Sequence, residues 1–321
     1  MDWQTTLSWQ DAQVRSKILQ KIRMFFSDRD VIEVETPLLS RGTITDVHLE
    51  AFTSSYHFLN DEHIKLYLQT SPEFSMKRLL ACGYQSIFQL CKAFRHEEFG
   101  RYHNPEFTML EWYRIDFDHM ALIKEVADLL QSVLNCDKPT QITYQEVFLQ
   151  VTSIDPLNTT KAELLLFIEN SNKMSDWLIL ENDIDILLQF IFTEIIEPTI
   201  GLDVPCFVYN FPSSQASLAK ICPDDPKVAQ RFECYFKGIE LVNGFNELTD
   251  AKQQLLRFEE DNKKRLQDGK VEMPIDYRFI AALEDGIPDC AGVALGIDRL
   301  VMLAINANEI NQVITFPIEN A

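Results

Sequence analysis

Two strand-like apolar runs, Ile87–Phe94 and Phe107–Trp112, constrain the fold most strongly. The polar segment between them shows no helical period, so the chain must turn there and return as an antiparallel strand. We expect this turn to bring Arg95 close to Glu111. Strands and helices elsewhere do not alternate regularly, which favours an α+β fold with a central antiparallel sheet flanked by helices.

Periodic segments elsewhere fit this class. Residues 11–30 carry an i, i+4 apolar stripe typical of an amphipathic helix, with Asp11 as its N-cap. Alternation in residues 31–37 predicts a strand that Pro37 ends. The remaining predictions are helices at 74–82, 120–134, 181–197, 252–266 and 301–306, and strands within 228–248. No change of composition marks a boundary, so we expect residues 1–321 to form a single domain.

Charge and cysteine usage exclude several classes of protein. The chain has 29 basic and 49 acidic residues, a net charge of -20, whereas a nucleic-acid-binding surface is basic. A tRNA partner is therefore not expected. Seven cysteines without a C-x-x-C pair indicate neither a disulfide framework nor a zinc site. The sequence lacks a signal peptide and an apolar run of the ~20 residues that a membrane span needs. We expect a cytoplasmic protein without membrane association.

Four segments place charged residues inside apolar surroundings. Arg95 suits a phosphate because its planar guanidinium donates two parallel hydrogen bonds, and Arg299 at a helix start suits a terminal phosphate. Glu233, Glu240 and Glu247 lie among aromatic residues, where carboxylates bind either Mg²⁺ or an ammonium group. The fourth segment is Thr70–Glu73, just before a helix.

Familiar catalytic patterns are missing. Neither of the common glycine-rich nucleotide loops is present, and no catalytic serine stands out. His96 and His103 lack metal-ligand spacing. Hydrolase chemistry is therefore unsupported.

Taken together, the charged segments resemble the three motifs of class II aminoacyl-tRNA synthetases. Residues 14–37 resemble motif 1, residues 94–113 motif 2, and residues 292–305 motif 3. His103–Met109 with Asn243–Phe245 is similar to the lysyl-tRNA synthetase branch. The resemblance implies a class II catalytic domain that activates a lysine-like amino acid with ATP and Mg²⁺, and a homodimer formed through motif 1.

The resemblance also implies a role for each matching position. Arg95 and Arg299 correspond to the catalytic arginines on the α- and γ-phosphates, and Glu233 and Glu240 to the Mg²⁺ ligands. The implied ATP-binding residues are Arg95, His96, Glu97, His103, Asn104, Phe107, Glu240, Leu241, Gly296 and Arg299. The implied substrate-binding residues are Ser71, Pro72, Glu73, Glu111, Tyr113, Asn243, Phe245, Glu247 and Ala294.

One departure narrows the expected activity. Lysyl-tRNA synthetases carry an anticodon-binding barrel before this domain, whereas here the motif 1 helix begins near residue 11, so we expect no such barrel. The chain thus resembles freestanding paralogues that attach (R)-β-lysine to a lysine of elongation factor P, the expected protein partner. Ser71 and Ala294 stand where lysyl-tRNA synthetases typically have Ala and Gly, both against the amino end of the substrate. Moving an amino group by one carbon can change binding by about 1–3 kcal/mol, so these two positions support a β-amino acid.

Two alternatives remain open at this point. One is a stand-alone enzyme that charges or modifies tRNA, against which the acidic charge and the missing barrel count. The other is a non-catalytic regulatory paralogue, which would be expected to have lost phosphate- or metal-binding groups such as Arg95, Glu240 and Arg299. The sequence assigns no general base for the transfer step and no role to residues 139–200.

Overall fold

The computed structural model describes residues 3–58, 62–96 and 99–321. The helices are α1 Trp9–Ser27, α2 Glu73–Ala81, α3 His119–Leu134, α4 Tyr144–Thr152, α5 Lys161–Asn170, α6 Asp176–Leu180, α7 Ile184–Ile191, α8 Ala251–Gln267, α9 Tyr277–Asp285 and α10 Ile297–Ile305. The strands are β1 Ile32–Glu33, β2 Leu39–Ser40, β3 Thr53–His57, β4 His63–Leu68, β5 Ile87–Phe94, β6 Glu106–Ile115, β7 Thr140–Thr143, β8 Cys206–Pro212, β9 Val228–Phe236, β10 Ile239–Asn246 and β11 Cys290–Gly296.

The chain divides into two compact units that both combine helices with strands. Unit 1 comprises Met1–Asp118, Ser132–Leu134 and Glu247–Ala321, and unit 2 comprises His119–Gln131 and Asn135–Asn246. The α+β class is therefore confirmed, and the single catalytic domain stays a prediction. Among the described residues, no helix combines the length and apolar character that crossing a membrane requires.

In unit 1, four strands pair in the order β1-β5-β6-β11, and β2, β4 and β3 form a smaller sheet. The β5–β6 pair is antiparallel, as predicted, the β6–β11 pair is also antiparallel, and the β1–β5 pair is parallel. The expected proximity of Arg95 and Glu111 is wrong. Glu111 lies opposite Gln89, while the Arg95 N–H donates to the Pro105 carbonyl at the other end of the strand pair. The chain turns directly after Arg95 and returns at Pro105. Glu111 lies six residues beyond Pro105 along β6, so it cannot lie beside Arg95.

Helix α1 covers the outer strands of unit 1. Its predicted stripe is buried from Ile18 to Phe26, and the Phe26 ring stacks on Phe88 with centroids 4.5 Å apart. The N-cap is Ser8 rather than Asp11, because the Ser8 hydroxyl oxygen accepts the Asp11 N–H at 3.1 Å. Asp11 lies instead in the first turn, where its charge complements the helix dipole.

In unit 2, four strands pair in the order β10-β9-β8-β7. The β7–β8 pair is parallel and the others are antiparallel. Helices α4, α5 and α7 bury an aromatic core that includes Tyr144, Phe192 and Phe211. The predicted 181–197 helix is α7 followed by a π-helical turn, Phe192–Ile196. The apolar side chains of residues 139–200 thus build a core for this unit.

Candidate active site

A buried cluster of charged side chains lies in unit 1. The Lys77 ammonium is 2.6 Å from Glu73 Oε1 and 2.5 Å from Glu247 Oε2. Lys77 and Glu247 are each only 1% exposed. Burial alone would lower the pKa of Lys77, but the charges of Glu247 and Glu73 and their hydrogen bonds raise it above its ordinary value. Lys77 therefore remains protonated at neutral pH although it is buried.

Local structure fixes each member of this cluster. Glu73 is the first residue of α2, where the helix N-terminus favours a negative charge. The Ser71 hydroxyl accepts the Glu73 N–H at 3.2 Å, and Pro72 is the N-cap. Lys77 follows Glu73 by four residues, so both side chains lie on one helix face. The Glu247 N–H donates to the Cys290 carbonyl, which holds Glu247 beside β11.

Glu111 and Tyr113 add a second acid and a hydroxyl group to the cluster. They are two residues apart on β6 and share a face of the strand, and the Tyr113 hydroxyl donates to Glu111 Oε1 at 2.7 Å. Burial, assisted by the charge of Glu73, raises the pKa of Glu111 to about 8, although Tyr113 and Lys77 oppose the shift. Ala294 lies directly opposite Glu111 in the β6–β11 register.

The cluster has more acidic groups than basic ones. Three acids, Glu73, Glu111 and Glu247, face a single ammonium, Lys77, and the raised pKa of Glu111 keeps that carboxyl largely protonated at neutral pH until a cation binds beside it. Uncompensated charge is costly in a buried environment, so the cluster is suited to a ligand that brings further positive charge. A cleft of about 450 Å³, part of it open solvent, is lined by Ser71 and by Glu73, the member of the cluster that faces it.

Gly292 packs against the same cluster, and the space there admits no side chain larger than that of glycine. It lies opposite Tyr113 in the β6–β11 register, and a Cβ atom at this position would collide with Glu247 Oε1 and the Tyr113 ring. Neither neighbour can move freely, because both are buried. A glycine is therefore required where β11 passes the charged cluster.

Gly292→Ala is therefore expected to lower the free energy of unfolding by about 1–3 kcal/mol, the usual cost of overpacking a core. Denaturant-induced unfolding would measure this loss. Gly100→Ala is the matched control, because a Cβ atom there meets nothing within 4 Å. Equal stabilities of the two variants would contradict the steric argument.

The motif 2 arginine lies at the turn after β5. The Arg95 guanidinium is 5.2 Å from the centroid of the Phe107 ring. The His96 N–H donates to the Glu50 carbonyl at 2.8 Å, and the His96 ring is 4.8 Å from that of Phe52. Arg95 and Phe107 are thus brought together as a cation beside an aromatic face. Glu97, also predicted to bind ATP, lies outside the described residues.

The motif 3 arginine meets the same turn region. Arg299 Nη2 is 2.6 Å from His103 Nε2, and its Nε–H donates to the Tyr102 carbonyl at 3.3 Å. Gly296 is the N-cap of α10, which carries Arg299 in its first turn. Two residues predicted separately, His103 and Arg299, are therefore in direct contact.

Asn104 is held by the main chain. Its Nδ2 donates to the Glu106 carbonyl at 2.6 Å, and its Oδ1 accepts the Ile318 N–H at 3.0 Å. The side chain is buried, so these bonds fix the course of the turn between β5 and β6. The nucleotide contact predicted for Asn104 stays a prediction.

A network that the sequence analysis missed joins the three motif regions of unit 1. Arg15 on α1 forms an ion pair with Asp298 at 2.7 Å and donates to the Thr108 hydroxyl at 2.9 Å. Asp298 in turn accepts the Thr108 N–H at 2.7 Å. Asp298 is the residue before Arg299, and Thr108 follows Phe107. The network thus fixes the backbone of both predicted nucleotide-binding residues.

The predicted metal ligands lie in unit 2. Glu233 on β9 is opposite Asn243 on β10, and Glu240 is opposite Tyr235 two residues further along β9. All four side chains therefore share one face of the strand pair. Arg231 and the Tyr235 hydroxyl bind the two carboxylate oxygens of Glu233.

This donor set fits Mg²⁺. Two carboxylates together with substrate phosphates form the usual protein site for this ion. The Oδ1 atom of Asn243, opposite Glu233, is buried without a hydrogen-bond partner in the described part of the chain. An orphaned oxygen of this kind is suited to a cation, either a metal ion or an ammonium group. Leu241 and Phe245, also predicted, lie on β10 beside these residues.

Two residues of the candidate site carried signals that sequence reasoning did not use. Lys77 follows Glu73 at i, i+4 spacing on a predicted helix, which indicates a local ion pair. Asp298 directly precedes Arg299 in an otherwise apolar helix start. The role of Arg15 had no local signal, because its partners are 93 and more residues away.

The fold and these motif residues define a nucleotide-dependent synthetase. A family model described as tRNA synthetases class II (D, K and N) matches residues 1–320. The chain belongs to this family of class II tRNA synthetases, and the predicted resemblance is confirmed.

Relatives of similar length narrow the comparison within the family. The elongation factor P–(R)-β-lysine ligase of Vibrio cholerae serotype O1 is 54% identical, over 100% of this chain and 99% of the relative. The ligases of the same name from Proteus mirabilis and Haemophilus ducreyi are each 52% identical, over 100% of this chain and 98% of the relative. The relatives are named as ligases, as predicted for this chain.

Proposed function

We propose that this chain activates (R)-β-lysine as an adenylate and transfers it to the ε-amino group of a lysine of elongation factor P. AMP and pyrophosphate are the other products. The observation that carries the proposal is the buried cluster of Glu73, Glu111 and Glu247 around Lys77 in unit 1. Once Glu111 ionises, the three carboxylates exceed the single ammonium by two charges, which suits an amino acid with two ammonium groups. The ligase names of the relatives supply the β-lysine and the protein acceptor.

In the first step, a carboxylate oxygen of the amino acid attacks the α-phosphorus of ATP, and the bond to pyrophosphate breaks. Arg95 and Arg299 stabilise the negative charge that develops on the phosphates, so catalysis is positioning and electrostatics without a protein nucleophile. His103 holds the Arg299 guanidinium in place. Glu233 and Glu240 would hold Mg²⁺, which neutralises phosphate charge when bound.

In the second step, the acceptor lysine amine attacks the adenylate carbonyl carbon. A carbon–nitrogen bond forms, the bond to the AMP oxygen breaks, and the amine loses a proton. No side chain of this chain is assigned as the base. The proposal also includes a homodimer formed through the motif 1 region and a cytoplasmic location.

The test combines two measurements on one reaction mixture. ATP–pyrophosphate exchange is measured with (R)-β-lysine and with α-lysine, and the mass of elongation factor P is then determined. Faster exchange with (R)-β-lysine and a gain of one β-lysyl mass would support both halves of the proposal. Exchange without modification of the factor would overturn the acceptor assignment, and charging of tRNA in a filter assay would identify the alternative acceptor.

Ala294→Gly is expected to shift the preference towards α-lysine by about tenfold. Ala294 lies opposite Glu111, and its methyl group occupies space beside the amino end of the substrate that the glycine of lysyl-tRNA synthetases leaves open. The ratio of kcat/KM for the two lysines in pyrophosphate exchange measures the shift. Ala291→Gly on the same strand, opposite Arg114, is the matched control. An unchanged ratio would remove Ala294 from the specificity argument.

A further inference from the structure

The ammonium of Lys77 lies within the cluster proposed to receive the substrate. Its Nζ touches Glu73 Oε1 and Glu247 Oε2, so those two oxygens are no more than about 5 Å apart. Two carboxylates at that separation in a buried site do not both remain ionised without a cation between them. The helix α2 supplies that cation by placing Lys77 one turn after Glu73.

The net charge of the cluster depends on Lys77. With every group ionised, Glu73, Glu111, Glu247 and Lys77 carry a net charge of two negative units, which two substrate ammonium groups neutralise. We propose that Lys77 is a positioning residue that keeps Glu73 and Glu247 ionised and thereby fits the cluster to a ligand with two ammonium groups. This inference rests on the proposed function, because the diamino acid is the ligand it explains.

Replacing Lys77 by a neutral residue changes how many protons the empty site holds. Without the ammonium, Glu73 and Glu247 share a proton near neutral pH, as close carboxylate pairs do. A diamino acid must then expel this proton to bind. The affinity of such a variant is lower at pH 7 than that of the wild type, and it recovers as the pH rises.

The wild type also releases a proton, from Glu111. The titratable groups around Glu111 are Glu73 and Lys77 on α2, Tyr113 on β6, Cys91 on β5 and Glu247, of which burial keeps Tyr113 and Cys91 neutral. Because the pKa of the free Glu111 carboxyl is raised to about 8, a cationic ligand lowers it and releases a proton. The complex holds fewer protons than the free protein, so affinity rises with pH until about pH 8 and then levels off.

The experiment compares Lys77→Met with Lys92→Met by calorimetry on the full chain. (R)-β-lysine and α-lysine are titrated at pH 7 in buffers of different ionisation enthalpy, with a non-hydrolysable ATP analogue present, which gives the number of protons released. Lys92 is a fair control because its ion pair with Glu106 is 3.3 Å long and both side chains are largely exposed. We expect Lys77→Met to raise Kd by about 100-fold and to release one proton more than the wild type and Lys92→Met.

A double variant controls for the case in which Lys77→Met fails to fold. Lys77→Met with Glu73→Gln removes one positive and one negative charge, so the cluster again carries two negative units and no buried carboxylate pair lacks its cation. We expect it to release as many protons as the wild type. If Lys77 has only a structural role, Lys77→Met will bind with a higher Kd but will release as many protons as the wild type. That result would overturn the inference and leave the proposed function standing. Absence of binding of either lysine to the wild type would overturn both.

Discussion

Replacing Arg299 by alanine is expected to lower the rate of ATP–pyrophosphate exchange by about 10³-fold, because a pre-positioned charge on the phosphates is lost. The arginine is on the first turn of α10 and contacts His103, so its guanidinium is fixed before ATP binds. Fixed donors contribute more than mobile ones, since no reorganisation accompanies the reaction. Radiolabelled pyrophosphate exchange at saturating amino acid gives the rate.

The control for Arg299→Ala removes an exposed arginine that lies outside the candidate site. Arg278 is exposed on α9, and Arg278→Ala is expected to exchange pyrophosphate at the wild-type rate. Circular dichroism should show both variants folded. Exchange by Arg299→Ala within a few-fold of the Arg278→Ala rate would exclude the catalytic role of Arg299.

Glu247→Gln is expected to lower the free energy of unfolding by about 1–3 kcal/mol, because the buried Lys77 ammonium loses one of its two carboxylate partners and keeps only Glu73. The substituted amide is nearly isosteric, so the loss reports charge rather than volume. The same change removes a carboxylate from the proposed ammonium site, so KM for the diamino acid should rise while KM for ATP stays constant. Denaturant unfolding and initial-rate kinetics measure the two effects.

An exposed carboxylate provides the comparison for Glu247. Glu260 pairs with Lys263 at 3.3 Å on the surface of α8, where an ion pair contributes only about 0–1 kcal/mol. Glu260→Gln should therefore leave both stability and KM unchanged. If Glu247→Gln were no less stable than Glu260→Gln, the ion pair with Lys77 would not contribute to the fold.

Most of the sheet of unit 1 could be predicted from the sequence, because its strands are long apolar runs. The predicted Ile87–Phe94 matches β5 residue for residue, and the antiparallel partner β6 extends the predicted Phe107–Trp112 by a few residues. The parallel β1–β5 pair could not be predicted. β1 has only two residues, and neither its alternation nor its charge specifies a partner.

Site residues that lie within a sequence motif could be predicted. Contacts between elements that are far apart in the sequence could not. Arg299 and His103 were each identified, yet their contact depends on how α10 packs beside the turn after β5. The register that separates Arg95 from Glu111 depends on the length of that turn. Lys77 looked like an ordinary helix residue, because burial between two acids is a property of the fold and not of α2.

The ion pairs that Lys77 forms with Glu73 and Glu247 restrict how the substrate range of this chain can change by mutation. Neutralising Glu247 leaves the lysine with one acid fewer, and neutralising Lys77 leaves two acids facing each other. Each of these two single substitutions thus passes through a destabilised protein. Two simultaneous substitutions avoid that intermediate. Directed evolution towards neutral substrates should therefore begin from libraries that vary positions 77 and 247 as a pair.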